Sequence, residues 1–118
     1  MHRITLLLPA FLIATVLFSA TPETITYMTE DYPPENFVEE GVLKGYAVDI
    51  LKAIWRKMEI AEQPIQVLPW TRAYQQVQTQ SGYMLFAMAR TPEREKLFQW
   101  VGPIYRAQPS LFALQDFD

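Results

Sequence analysis

The stretch Tyr83-Met84-Leu85-Phe86-Ala87-Met88-Ala89-Arg90-Thr91-Pro92-Glu93-Arg94 constrains the fold more than any other. An unbroken apolar run passing straight into Thr-Pro-Glu-Arg reads as a strand buried on both faces that enters the first turn of a helix. Thr91 is the expected N-cap and Pro92 the first helical residue, since the N–H that proline lacks has no partner there anyway. In an open α/β sheet, ligands collect where the carboxyl end of a strand meets the amino end of a helix. The unpaired N–H groups and the dipole favour an anion, and Arg94 adds a guanidinium that can grip a carboxylate bidentately. The competing reading is that Arg94 is a solvated helix-start residue paired with Glu93 or Glu95.

The chain has 118 residues, half of them hydrophobic, enough for one domain with a core. A formal charge of −3 argues against a nucleic-acid surface. There is no Cys, and the single His is His2, so disulfides, thiolate or imidazole metal sites and a Ser-His-Asp triad are all excluded. Only carboxylates remain as metal ligands, and no cofactor is expected.

Residues 1–20 have the layout of a secretory signal: basic His2-Arg3, an apolar stretch from Ile4 to Phe18, then small Ser19 and Ala20. The apolar stretch is short for a membrane span, which needs roughly 20 residues. Cleavage after Ala20 would leave residues 21–118 as an acidic, exported domain. Phe18 occupies a place where a small residue is usual, which keeps an uncleaved anchor as the alternative.

Thr24 to Met28 alternates β-branched and aromatic residues and reads as the first strand. The loop Thr29 to Asn36 follows, with Pro33-Pro34 stiffening Tyr32, which serves either as a flat wall for a ligand or as packing for its own loop. Phe37 to Leu43 reads as a hairpin around Glu40-Gly41. From Ala47, apolar residues at Ala47, Ile50, Leu51, Ile54 and Met58 mark one face of a helix, with Asp49 suiting the dipole in its first turn. Ile65 to Leu68 reads as a strand, and Pro69 starts a second helix whose stripe is Trp70, Ala73, Tyr74 and Val77. Trp70 is either core or a stacking surface, and Arg72, outside the stripe, meets either the ligand or a carboxylate partner. After the helix expected at Thr91, strands are expected at Phe98–Val101 and Ser110–Leu114. The alternation of strands and helices predicts a mostly parallel α/β sheet flanked by helices.

Together, Tyr32-Pro33-Pro34, Gly45-Tyr46-Ala47-Val48-Asp49-Ile50, Pro69-Trp70-Thr71-Arg72-Ala73 and Thr91-Pro92-Glu93-Arg94 resemble the first lobe of the family 3 periplasmic solute-binding proteins, the amino-acid-binding type. The resemblance covers about Thr24 to Leu114. It implies one lobe of a type II two-lobe binding-protein fold, with Arg94 on a ligand's carboxylate and Tyr32 and Trp70 flanking its side chain. It also implies a periplasmic location and delivery to the membrane permease of an ABC importer, with closure around the ligand and no chemistry. Ala87 and Ala89 depart from the pattern: many amino-acid binders carry Ser or Thr there, whose hydroxyls help to hold the ligand's carboxylate or ammonium.

The sequence ends where the crossover to a second lobe should begin, so a fragment, binding weakly and prone to self-association, is expected. Two other functions share similar lobes. The outer part of a receptor kinase would need a signalling domain. A dehydratase-like enzyme would need a general acid or base, for which Glu30, Asp31 and Glu35 are the nearest candidates.

Overall fold

Tyr27, Met28 and Thr29 are almost wholly buried, at 3%, 0% and 0% exposure, and the architecture is arranged around them. They belong to strand β1 (Thr26–Thr29) of a computed structural model that describes residues 21–108, 110–113 and 115. The leader lies outside the described residues, as do Pro109 and Leu114. In chain order the further elements are β2 (Phe37–Glu39), β3 (Val42–Lys44), α1 (Tyr46–Lys57), β4 (Ile65–Val67), α2 (Trp70–Thr79) and β5 (Tyr83–Leu85). The first strand starts two residues later than expected, because Pro22–Thr24 forms a 3-10 turn whose Pro22 carbonyl accepts from the Tyr27 hydroxyl at 3.0 Å.

The central sheet has the order β4-β1-β5 and is parallel throughout, with Tyr27 opposite Ile65 on one side and Met84 on the other. Its pairing runs past the strand ends through Leu68 N–H to Thr29 O at 2.9 Å and Phe86 N–H to Met28 O at 3.1 Å. Side chains alternate across β1 with a period of two, and the two faces carry different helices. Tyr27 packs with Ala47, Val48, Leu51 and Trp55 of α1 and with Phe86, whereas Met28 packs with Ala73 of α2 and with Leu85. The result is the expected mixed α/β fold, a parallel sheet between helices, consistent with one lobe of a two-lobe binding protein.

Four expectations need correction. The buried face of α1 is Ala47, Val48, Leu51 and Trp55, while Ile50, Ile54 and Met58 are 38%, 45% and 51% exposed. The face is set by Trp55, the largest buried side chain, whose ring meets Tyr27 edge-on at 4.8 Å and 85°. This rotates the helix so that the largest aromatic surface leaves water.

The segment after Thr91 forms successive turns, Arg94 N–H to Thr91 O at 3.1 Å and Leu97 N–H to Arg94 O at 3.0 Å, and no helix. Arg94 reaches across to the rings of α2, and Glu95 is gripped by Arg90 before the turns, so these contacts shape the segment. Phe98–Val101 is not a strand, and Ser110–Ala113 is exposed chain without strand pairing. Among the described residues neither has a neighbouring strand to satisfy its backbone groups. The hairpin stands as read: β2 and β3 pair antiparallel, with Glu40 and Gly41 at φ of 53° and 76° in a two-residue turn.

Candidate functional site

The carboxyl ends of β1, β4 and β5 face one edge of the sheet, and the segments leaving them carry the candidate residues. The loop after β1 is a tight turn closed by Tyr32 N–H to Asn36 O at 2.5 Å and by Glu35 and Asn36 N–H to Tyr32 O, both at 3.0 Å. Asn36 is buried and donates from Nδ2 to Glu30 O at 2.6 Å, so the loop is tied to the end of the strand it leaves. Tyr32 is 56% exposed on this turn. Asp31 accepts from the Val38 N–H at 3.2 Å, which commits that carboxylate to the loop.

Glu35 holds two more segments. Its carbonyl accepts from the Ala47 N–H in the first turn of α1 at 3.0 Å, and its carboxylate accepts from the Tyr105 hydroxyl. Tyr105 in turn meets Tyr46 edge-on at 5.5 Å. The bond to Glu35 stabilises the neutral phenol and pushes the Tyr105 pKa well above its usual value.

Trp70, at the start of α2, lines an open cleft of roughly 340 Å³ together with Glu30, Asp31, Val67, Leu68 and Pro69. Ala87 and Ala89 line a second, larger cleft of roughly 850 Å³ between β5 and the segment Leu97–Ala107. Ala87 sits at φ 60°, where the chain swings out of the sheet, and packs against the core. Arg72 is exposed and lines neither cleft.

Arg94 reaches residues that line both clefts. Its Nη1 donates to the Ala89 carbonyl at 3.0 Å, and its Cζ lies 5.1 Å from the Trp70 ring centroid and 5.4 Å from that of Tyr74. The competing reading, Arg94 paired with Glu93 or Glu95, is not found among the described residues; Arg90 takes the Glu95 carboxylate with both edges, Nε to Oε2 at 2.6 Å and Nη2 to Oε1 at 2.5 Å. That grip holds the Glu95 carboxyl below its usual pKa, and Arg90 also lies over Trp100 at 5.6 Å. Glu93 is likewise held low, by the Thr91 hydroxyl first and its own backbone N–H second. Among the described residues neither Arg94 nor Arg72 forms an ion pair.

The structure therefore brings together Arg94, Trp70 and Ala89. Tyr32 and Arg72 lie on the segments that leave the carboxyl ends of β1 and β4, and among the described residues neither forms a hydrogen bond or cation–π contact with Arg94. From the sequence Tyr74 was expected only in the apolar stripe of its helix, Glu35 only as a candidate acid or base for the enzymatic alternative, and Tyr105 in no role; Tyr74, one helical turn after Trp70, was legible as its neighbour, whereas the pairing of Glu35 with Tyr105 carries no local signal. Among the described residues no three acidic or His side chains cluster as a metal site would require.

In comparison with known families, the model described as Bacterial extracellular solute-binding proteins, family 3, aligns with residues 25–118. No curated protein and no solved structure matches the chain.

Proposed function

We propose, from the premise that this chain belongs to the bacterial extracellular solute-binding proteins, family 3, that it captures a small carboxylate-bearing polar solute such as an amino acid, with Arg94 as the anion contact. Membership makes it a solute-binding protein of an exported kind. The finer reading adds the ligand class, removal of residues 1–20 as a signal, residues 21–118 as a first lobe, and delivery to the permease of an ABC-type importer.

The observation that carries this reading is the state of Arg94. The residue is of intermediate exposure, its guanidinium is anchored by one nitrogen on the Ala89 carbonyl and is without a carboxylate partner among the described residues, while Arg90 four positions earlier is paired with Glu95 through both edges. A seated cation with unfilled donors suits a planar anion from solution. Tyr32, Arg72 and the walls at Trp70, Ala87 and Ala89 would surround the rest of the solute. Because Arg94 lies over Trp70, the flat face of that ring toward the guanidinium is already covered.

Calorimetry of the chain against amino acids and small organic acids tests the reading. Arg94→Ala is expected to weaken binding by about 1.5–3 kcal/mol, the range for a hydrogen bond to a charged group. Thermal unfolding should shift little. Unchanged affinity in Arg94→Ala would remove Arg94 from the site.

A further inference from the structure

We infer that Tyr74 is the positioning residue for Arg94: its ring, together with that of Trp70, forms the seat on which the guanidinium rests, so that α2 acts on a carboxylate through Arg94. This rests on the reading of Arg94 as the anion contact. Trp70 and Tyr74 are one helical turn apart on α2, their rings 5.4 Å apart and tilted by only 32°, which makes a shallow, continuous aromatic surface. Arg94 spans both rings at 5.1 Å and 5.4 Å, within the distance at which a cation is attracted to a ring face.

The seat is itself braced. Tyr74 meets Phe98 edge-on at 5.5 Å, Phe98 meets Trp100 at 5.8 Å, and Trp100 lies under Arg90, which is locked to Glu95. The aromatic chain thus clamps the turn containing Arg94 from both ends. A long, flexible side chain with one hydrogen bond, to Ala89, would otherwise sample many rotamers, and each one excluded before binding lowers the ordering cost of gripping a carboxylate. Among the described residues no acidic side chain does this work, which matters because a carboxylate partner would compete with the ligand for the same donors.

The test uses the full chain labelled with nitrogen-15, following the Arg94 Nε–Hε resonance. In the free protein this proton is expected to be displaced by ring currents from the position of the corresponding Arg72 proton, which lies over no ring among the described residues. Tyr74→Leu should shrink the displacement, and Tyr74→Phe should retain it, since the ring and not the hydroxyl forms the seat. If Tyr74→Leu fails to fold, Tyr74→Met, which can keep contact with Phe98, replaces it. Titration with sodium acetate, against sodium chloride as control, should then show affinity about two- to fivefold weaker in the Leu or Met variant and within about twofold of wild type in the Phe variant, in line with a surface cation–π contact.

An Arg94 resonance unchanged in the folded Leu or Met variant overturns the positioning role whatever acetate does. Equal loss of acetate affinity in the Phe and Leu variants overturns it as well. If acetate binds equally well to wild type and Arg94→Ala, the anion reading fails, and the resonance comparison still decides whether Tyr74 seats the side chain.

Discussion

Tyr105 donates a hydrogen bond to the carboxylate of Glu35 across a separation of 70 residues, tying the segment that leaves the last turns to the loop that leaves the first strand. The same loop displays Tyr32, and its carbonyl at Glu35 receives the first turn of α1. One residue therefore joins three parts of the chain at the carboxyl edge of the sheet.

The first prediction concerns alkaline pH. The Tyr105 pKa is raised in the folded state, so the folded protein holds that proton more tightly than the unfolded chain, whose tyrosines titrate near 10. The stabilisation is complete below the unfolded value and declines as pH rises from there toward the folded one. Urea unfolding of wild type should fall more steeply above about pH 10 than that of Tyr105→Phe. Parallel profiles would show that the bond to Glu35 does not contribute in solution.

A second prediction follows from Gly45, the residue before α1. Its φ is 123°, a region closed to L side chains, and an added Cβ would overlap the Glu35 carbonyl oxygen and approach the Asn36 nitrogen at 2.9 Å. Backbone atoms cannot yield as a side-chain tip can, and that carbonyl is held by the Ala47 N–H. Gly45→Ala should cost about 2 kcal/mol or more in denaturant unfolding. A loss below about 0.5 kcal/mol, ordinary for a surface change, would mean the turn and helix are not packed this closely.

Trp55 gives a third. It is 1% exposed and joins α1 to Tyr27 on the central strand. Trp55→Ala should cost about 3–5 kcal/mol, whereas Ile54→Ala on the same helix, 45% exposed, should cost far less. Comparable losses at the two positions would restore the Ile50, Ile54, Met58 face as the buried one.

The last concerns residues 1–20, which we propose are removed on export. Mass spectrometry of the exported, soluble protein should find a chain beginning at Thr21. Membrane-bound protein that retains Met1 would favour an uncleaved anchor.

The hairpin, both helices and the three parallel strands were legible in the sequence because their signals are local. Glu40-Gly41 suits a left-handed turn, Trp70, Ala73, Tyr74 and Val77 recur at helical spacing, and Tyr83 to Leu85 is apolar enough to enter a sheet. Local pattern failed where partners compete. Ile50, Ile54 and Met58 fit a helical face as well as Val48 and Trp55 do, and only the presence of Tyr27 decides which face is buried. Thr91-Pro92-Glu93-Arg94 has the residues of a helix start, but capping preferences are worth about 1 kcal/mol, and the contacts of Arg90 with Glu95 and of Arg94 with α2 hold turns instead. The sequence thus singled out Arg94 as a candidate cation, since its chemistry is local. Which carboxylate it lacks, and which rings it rests on, depend on how residues 70–74 and 89–95 meet in space, and that was decided by the tertiary structure alone.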